Sequence, residues 1–295
     1  MLEVTSPAGI RDILNRYQLA CRKSFGQNFL IDRNIAGKIV AAAELQPDDL
    51  AAEIGPGLGA LTTRSAGSAG KVLAVELDRG LLPALAEVLA GLDNVVVIQG
   101  DALEIDFDRL AQEHTGGVYG RDARQYKLLA NLPYYITTPL LLRLLHEHYN
   151  ISLMVVMVQL EVAARLTAAP GTKDYGALSV AVQYFTDAKL LFRVPKTVFF
   201  PVPAVDSAVV RLVLRQKPAV PVKDEKTFFQ VVRAAFGKRR KTLLNSLAGS
   251  DMAIAKDLWK DVLHNCGIDP ARRGETLSLA EFARLSDSLL EVRNG

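Results

Sequence analysis

An apolar run at residues 50–54 stops at Gly55-Pro56-Gly57-Leu58-Gly59-Ala60, and no other stretch narrows the choice of fold as far. Alternate glycines let the backbone turn sharply and come close to a bound molecule. A buried strand feeding such a turn into a helix is the opening of a nucleotide-binding α/β unit. A second apolar run, 71–76, ends on Glu76, 21 residues after Gly55, where an acid customarily receives ribose hydroxyls. The same residues fit a dinucleotide pattern with Ala60 in the last place, so this unit alone leaves a nicotinamide-dependent oxidoreductase open.

The rest of the chain repeats the alternation. Strands are predicted at 95–99, 127–130, 152–158, 190–194 and 208–214, and helices at 32–43, 139–148, 161–168 and 176–183. That order argues for a mostly parallel sheet covered on both faces. Ser6-Pro7 caps a predicted helix over 8–19, with Ile10, Ile13, Leu14 and Tyr17 on one face, so residues 1–21 read as an extension that docks by a helix. Pro218 and Pro221 mark a linker, and a boundary is placed near residue 216. Beyond it only helical patterns follow, at 224–236, 241–248, 253–265 and 278–292, the last opening with Ser278 and Glu281 as a capping box. Two domains are expected, 1–216 and 217–295.

Charge divides along the same line. Net charge is +3, but residues 217–295 hold 14 Lys and Arg against 10 Asp and Glu, and the remainder 21 against 22. A near-neutral module doing chemistry beside a small basic module serving a polyanion would have this distribution. No apolar run approaches the roughly 20 residues of a membrane span. Cys21 and Cys266 are too few for a disulfide framework, and neither has metal-ligand spacing with the four histidines. A cytoplasmic protein without a metal is expected.

Chemistry is expected at Asn131-Leu132-Pro133-Tyr134, directly after the 127–130 strand. Pro133 keeps Leu132 extended, presenting an amide and an aromatic ring at a strand's carboxyl end, where open α/β sheets bind ligands. The turn suits alkylation of an amine on a flat heteroaromatic ring, such as N6 of adenine. The Asn131 side-chain oxygen and the Leu132 carbonyl would each accept one N–H while Tyr134 stacks on the base. Asp101 is read as accepting from an adenine amine, as capping a helix with Glu104, or as doing both, since the two roles are compatible. Phe199-Phe200-Pro201-Val202-Pro203 reads as a rigid apolar loop from which either ring reaches a base held at Tyr134. Lys238-Arg239-Arg240-Lys241, with Arg233 one turn earlier, forms a cationic run, and Asn245, Arg272 and Arg273 add donors for phosphates.

In order, and over nearly the whole chain, these motifs resemble the ribosomal small-subunit RNA adenine dimethyltransferases, the KsgA-type family. The likeness rests on Lys23-Ser24-Phe25-Gly26-Gln27-Asn28-Phe29-Leu30, Glu53-Ile54-Gly55-Pro56-Gly57-Leu58-Gly59, Glu76-Leu77-Asp78, Gly100-Asp101-Ala102, Asn131-Leu132-Pro133-Tyr134, Tyr175-Gly176-Ala177-Leu178-Ser179, Val205-Asp206-Ser207 and Phe236-Gly237-Lys238-Arg239-Arg240-Lys241.

The resemblance implies a class I S-adenosylmethionine-dependent methyltransferase fold, a Rossmann-like seven-stranded sheet with its last strand antiparallel, joined to a small all-α RNA-binding domain. It implies dimethylation of N6 on two adjacent adenosines in a hairpin loop near the 3′ end of small-subunit (16S) rRNA. The partner would be the small ribosomal subunit or its assembly precursor, met by a monomer. By motif, Gln27, Asn28, Leu30, Gly55, Gly57, Gly59, Glu76, Leu77, Asp101, Ala102 and Asn131 are assigned to the cofactor, and Tyr134 with Phe199 or Phe200 to the flipped base. Lys23 joins the RNA-binding cations. Leu160 stands where the family commonly has lysine. A large-subunit rRNA methyltransferase, a DNA adenine methyltransferase and an inactive assembly factor are the nearer rivals, but the basic tail motif resembles the small-subunit type.

Overall fold

The structure, a computed structural model, describes residues 4–19, 26–238 and 240–294. Its contacts divide the chain into two units, one of residues 1–163 with 187–214 and the other of 164–186 with 215–295.

The first unit is built on a seven-stranded sheet. In chain order its strands are β2 (Leu50–Ile54), β3 (Lys71–Glu76), β4 (Val95–Gln99), β5 (Tyr126–Asn131), β6 (Ile151–Gln159), β7 (Thr186–Val194) and β9 (Ser207–Leu214). Helices α2 (Arg33–Ala42), α3 (Thr62–Ala66), α4 (Leu82–Val88), α5 (Phe107–Thr115), α6 (Thr137–His146) and α7 (Leu160–Leu166) alternate with the strands along the chain. The strands lie side by side as β4-β3-β2-β5-β6-β9-β7. The first five run parallel, and β9, the last in sequence, is antiparallel to β6. β2 is buried along its whole length, which explains why it reads as a continuous apolar run instead of an alternating one.

Register fixes where the ends fall. Ile54 lies beside both Val75 and Ala130, and Glu76 beside Gln99. Gly55, Glu76, Asn131 and Gly100-Asp101 therefore emerge at one edge. The chain continues from β2 to β3 on one side while β5 occupies the other, so that edge is a topological switch point.

A feature absent from the sequence reading covers this edge. Phe29–Leu30 forms a strand, β1, pairing antiparallel with β8 (Phe199–Phe200), Phe29 opposite Phe200 and Leu30 opposite Phe199. Phe199-Phe200 is thus strand and not free loop. Beside it packs α1 (Pro7–Arg16), capped by Ser6, whose Oγ accepts from Gly9 N at 3.1 Å. Ile10, Ile13 and Leu14 bury against Phe29, Leu58, Leu81 and Val88, and the Tyr17 hydroxyl donates to Glu87 at 2.6 Å, so the predicted docking face is used.

The second unit is helical: α8 (Ala177–Phe185), α9 (Glu225–Phe236), α10 (Leu243–Ala248), α11 (Lys256–Asn265) and α12 (Leu279–Asn294). Tyr184 stacks on Phe228 with centroids 4.9 Å apart, and Phe185 on Phe229 at 5.6 Å. These pairs are why α8 belongs to the helical unit, whereas the sequence boundary at 216 left it with the sheet. The Ser278–Glu281 capping box forms as read, Ser278 N donating to Oε2 at 2.8 Å and Glu281 N to Ser278 Oγ at 3.2 Å. Among the described residues no helix is long and apolar enough to cross a membrane.

Candidate active site

The aligned strand ends open into a cleft of about 1060 Å³, counting space open to solvent. Gln27, Asn28, Leu30, Gly55, Gly57, Glu76, Leu77, Asp101, Ala102 and the whole of Asn131-Leu132-Pro133-Tyr134 line it.

The glycine turn bends where side chains are disfavoured, with φ of +67° at Gly55 and +58° at Gly57. A Cβ on Gly57 would also stand 3.2 Å from the Phe29 ring. Gly59, at φ +86°, does not line the cleft. Its missing side chain makes room for α4 and the residue after it, since a Cβ would lie 3.2 Å from Leu85 and 3.3 Å from Val88. Its assignment to the cofactor is replaced by a packing role.

Glu76 is buried at the end of β3. One carboxylate oxygen accepts from Asp78 N at 2.8 Å and the other from Gly57 N at 3.1 Å. Burial raises its pKa, and those two N–H donors oppose the rise. Each oxygen keeps a second lone pair for a sugar hydroxyl. The capping box considered for Asp101 does not form: Asp101 Oδ1 accepts from Leu103 N at 2.8 Å in a turn, and the helix that follows, α5, is capped by Asp106. These donor and acceptor sets suit a ribonucleoside, and the residues present fit S-adenosylmethionine.

Asn131 is held by one directional contact. Its Nδ2 donates to the Asn28 carbonyl at 3.1 Å, while Asn28 Nδ2 donates to Gly26 O at 3.0 Å. A carbonyl can pair only with the NH₂ end of the amide, so among the described residues Asn131 Oδ1 is left as an acceptor without a partner in the cleft. Leu132 N donates to Met157 O at 3.1 Å, which anchors the turn to β6. The Tyr134 hydroxyl lies 3.0 Å from Ser207 Oγ, fixing the half-buried ring.

The two phenylalanines depart from expectation. Phe199 is 1% exposed, in the core with Leu30, Ile39 and Val194. Phe200 packs beside Phe29 with the Arg11 guanidinium 5.5 Å from its ring centre. Neither lines the cleft, because pairing with β1 draws both rings into the fold. Leu160 contributes its backbone N–H to Asp206 O at 3.0 Å.

Glu53 and Tyr135 are among the lining residues that the sequence reading left unassigned. Glu53 lies wholly buried in β2, its Oε2 without a hydrogen-bond partner, and burial pushes its pKa up to about 8. An acid inside an apolar strand was the available signal. Tyr135 is exposed, yet its ring lies against Gly26, where a Cβ would be 3.3 Å away.

On the helical unit Arg233, Lys238, Arg240, Lys241 and Asn245 are exposed. Arg272 is not available for phosphate: its guanidinium pairs with Glu281 at 2.5 Å and donates to Thr276 O at 2.7 Å. Arg273 is exposed, 3.9 Å from Glu275. Lys23 and Arg239 lie outside the described residues.

A seven-stranded sheet with one antiparallel strand and a nucleoside cleft at the switch point defines a class I methyltransferase. The chain matches the family model described as Ribosomal RNA adenine dimethylase over residues 18–286, and it belongs to that family. It is 68% identical to the Ribosomal RNA small subunit methyltransferase A of Pelotomaculum thermopropionicum, the match covering 99% of each chain. The protein of that name from Geobacillus thermodenitrificans is 51% identical over 98% of each. Among solved structures, a dimethyladenosine transferase from Plasmodium falciparum superposes with TM-score 0.70 at 25% identity, covering 88% of this chain and 96% of that one. The 23S rRNA methyltransferase ErmE gives 0.65 at 26%, covering 89% and 99%. The oxidoreductase reading of the glycine turn is thereby set aside.

Proposed function

We propose that this chain transfers methyl groups from S-adenosylmethionine to N6 of two adjacent adenosines near the 3′ end of small-subunit rRNA. The observation that carries the reading is the Asn131 amide, whose NH₂ is committed to Asn28 and whose oxygen is left to accept. When bound, S-adenosylmethionine supplies a methyl group on a positively charged sulfur that leaves neutral. Asn131 Oδ1 and the Leu132 carbonyl accept the N–H groups of the adenine amine and draw its lone pair out of conjugation. Glu76 holds the ribose and Asp101 the adenine of the cofactor. Tyr134, steadied by Ser207, presents its ring to the target base.

Position supplies most of the rate. Holding the amine about 3 to 3.5 Å from the methyl carbon and in line with the breaking bond accounts for several kcal/mol, more than either hydrogen bond. Extruding the adenine costs a few kcal/mol, and stacking on one ring returns about 1 to 3, so net affinity for RNA comes from phosphate contacts. The exposed cations Arg233, Lys238, Arg240 and Lys241 of the helical unit are suited to that. The substrate is a small subunit or its assembly precursor, met in the cytoplasm by a monomer. The relatives named for the small subunit match at 48–68% identity over 97–99% of this chain, which favours that target over a large-subunit adenosine.

Incubating the purified protein with labelled S-adenosylmethionine and unmethylated small subunits, followed by nucleoside analysis, tests the reading. Labelled N6,N6-dimethyladenosine is expected. Label in large subunits alone, or in another nucleoside, would overturn it.

A further inference from the structure

The helical unit contains a concavity of its own, where the last turn of α9, the end of α10 and the last turn of α12 meet. Gln230, Arg233, Lys238 and Arg293 line it, with Asp251 as its single acid. Nearby hydroxyls are already committed: Ser246 Oγ donates to Ala234 O at 2.9 Å and accepts from Lys238 N at 3.2 Å, and Ser250 Oγ donates to Leu247 O at 2.6 Å. What remains to meet a ligand is almost wholly donor in character.

These cations differ from others in the unit. Lys223, Lys260 and Arg272 hold carboxylates at 2.5–2.7 Å. Among the described residues no ion pair engages Arg233, Lys238 or Arg293. Lys238, although exposed, carries its ammonium over Gly249, where a Cβ would stand 2.5 Å from Nζ and 3.2 Å from Asn245 O. Three cations, Arg233 in the last turn of α9, Lys238 in the turn after it and Arg293 in the last turn of α12, line one concavity with a single acid and match an oxyanion in charge and in hydrogen-bond character.

We propose that this concavity is a phosphate subsite of the RNA surface, seating one backbone phosphate between Arg233, Lys238 and Arg293. The assignment rests on the reading of the chain as an RNA-modifying enzyme. A competing account has the three cations only offset the negative carbonyl ends of the helices that finish there.

Full-length Arg233→Gln, Arg293→Gln and the double variant, with Lys256→Gln as a control outside the concavity, separate the two. Affinity for an unmethylated 3′ fragment of small-subunit rRNA is measured against KCl concentration. For the double variant the slope of log affinity against log salt is expected to flatten by about one unit, and for the control clearly less. Equal flattening in the control overturns the subsite in favour of a diffuse field. An unchanged slope with a lowered melting temperature assigns the cations to the helix ends. Inorganic phosphate that raises the melting temperature of the wild type, with the RNA slopes unchanged among variants, marks a free-phosphate site and overturns the RNA assignment. Methyl transfer by the same wild-type preparation distinguishes the two ways of failing: transfer with unchanged slopes sinks only the subsite, whereas no transfer sinks the underlying reading.

Discussion

Replacing Glu53 by glutamine tests whether the acid buried in β2 carries a proton at neutral pH. The side chain is 1% exposed, Oε2 has no partner, and Glu76 adds a second negative charge to the burial that pushes the pKa from 4.5 to about 8. The folded state holds a proton that the unfolded chain has released at every pH between those values. Stability attributable to this group is therefore greatest below pH 4.5, falls as pH rises, and levels off above about pH 8. A proton held only by the folded state is worth about 1.4 kcal/mol for each step of one in pH, so raising the pH from about 6 to about 9 removes roughly 2 to 3 kcal/mol through Glu53 alone. Glutamine has the same shape and no proton to lose, so Glu53→Gln lacks this component. Urea unfolding followed by far-ultraviolet circular dichroism across that range measures both proteins, and their difference isolates the group from other titrations. The variant is expected to gain on the wild type by about 2 to 3 kcal/mol at the alkaline end. Parallel curves refute the argument, since they place the ionisation of Glu53 in the ordinary carboxylate range.

On the proposed mechanism Asn131→Ala removes a side-chain acceptor of the reacting amine, and single-turnover transfer is expected to slow by about 10² to 10³ while cofactor affinity changes less. A near-normal single-turnover rate removes Asn131 from the mechanism. Glu76→Gln is expected to weaken S-adenosylhomocysteine binding by about tenfold or more, measured by calorimetry without RNA. The Arg272–Glu281 pair holds the Glu281 pKa at about 2, so its contribution is present above the ordinary glutamate range and is lost as pH falls toward 2. Arg272→Ala is expected to cost about 1 to 3 kcal/mol near neutrality in denaturant melts, and progressively less on acidification. Gly26→Ala meets both a φ of +57° and the Tyr135 ring, and a rise in cofactor KM at nearly constant kcat is expected from displacement of that ring.

Legibility in the sequence followed the range of the forces involved. β2, β3 and β4 were readable residue for residue because each is a short, mainly apolar run followed by glycine or an acidic turn; β2 and β3 are buried parallel strands and β4 is the half-buried edge strand beside them. The cleft residues were legible because the parallel register carries strand ends to one edge, so Gly55, Glu76, Asp101 and Asn131 come together without any long-range coincidence. What escaped depends on pairing between segments far apart in the chain. Phe29 and Phe200 form a bridge of two-residue strands, too short to show a period, and only that pairing explains why Phe199 turns inward. Arg272 looked like a phosphate ligand because its partner Glu281 is nine residues on and was legible only as a capping residue. Gly59 was assigned by its motif, whereas packing against α4 set its place.

The helical unit draws on two stretches separated by β7 and β9, since residues 164–186 belong to it as much as 215–295 do. It is therefore not an appendage that can be cut off at the proline-rich linker. A chain ended at 216 would keep Tyr184 and Phe185 but lose Phe228 and Phe229, leaving two bared aromatic faces and a Tyr184 carbonyl deprived of the Ala219 N–H. Gene fusions and domain exchanges within this architecture must move both stretches together, and evolution of the helical module is bound to that of the sheet through which its chain is threaded.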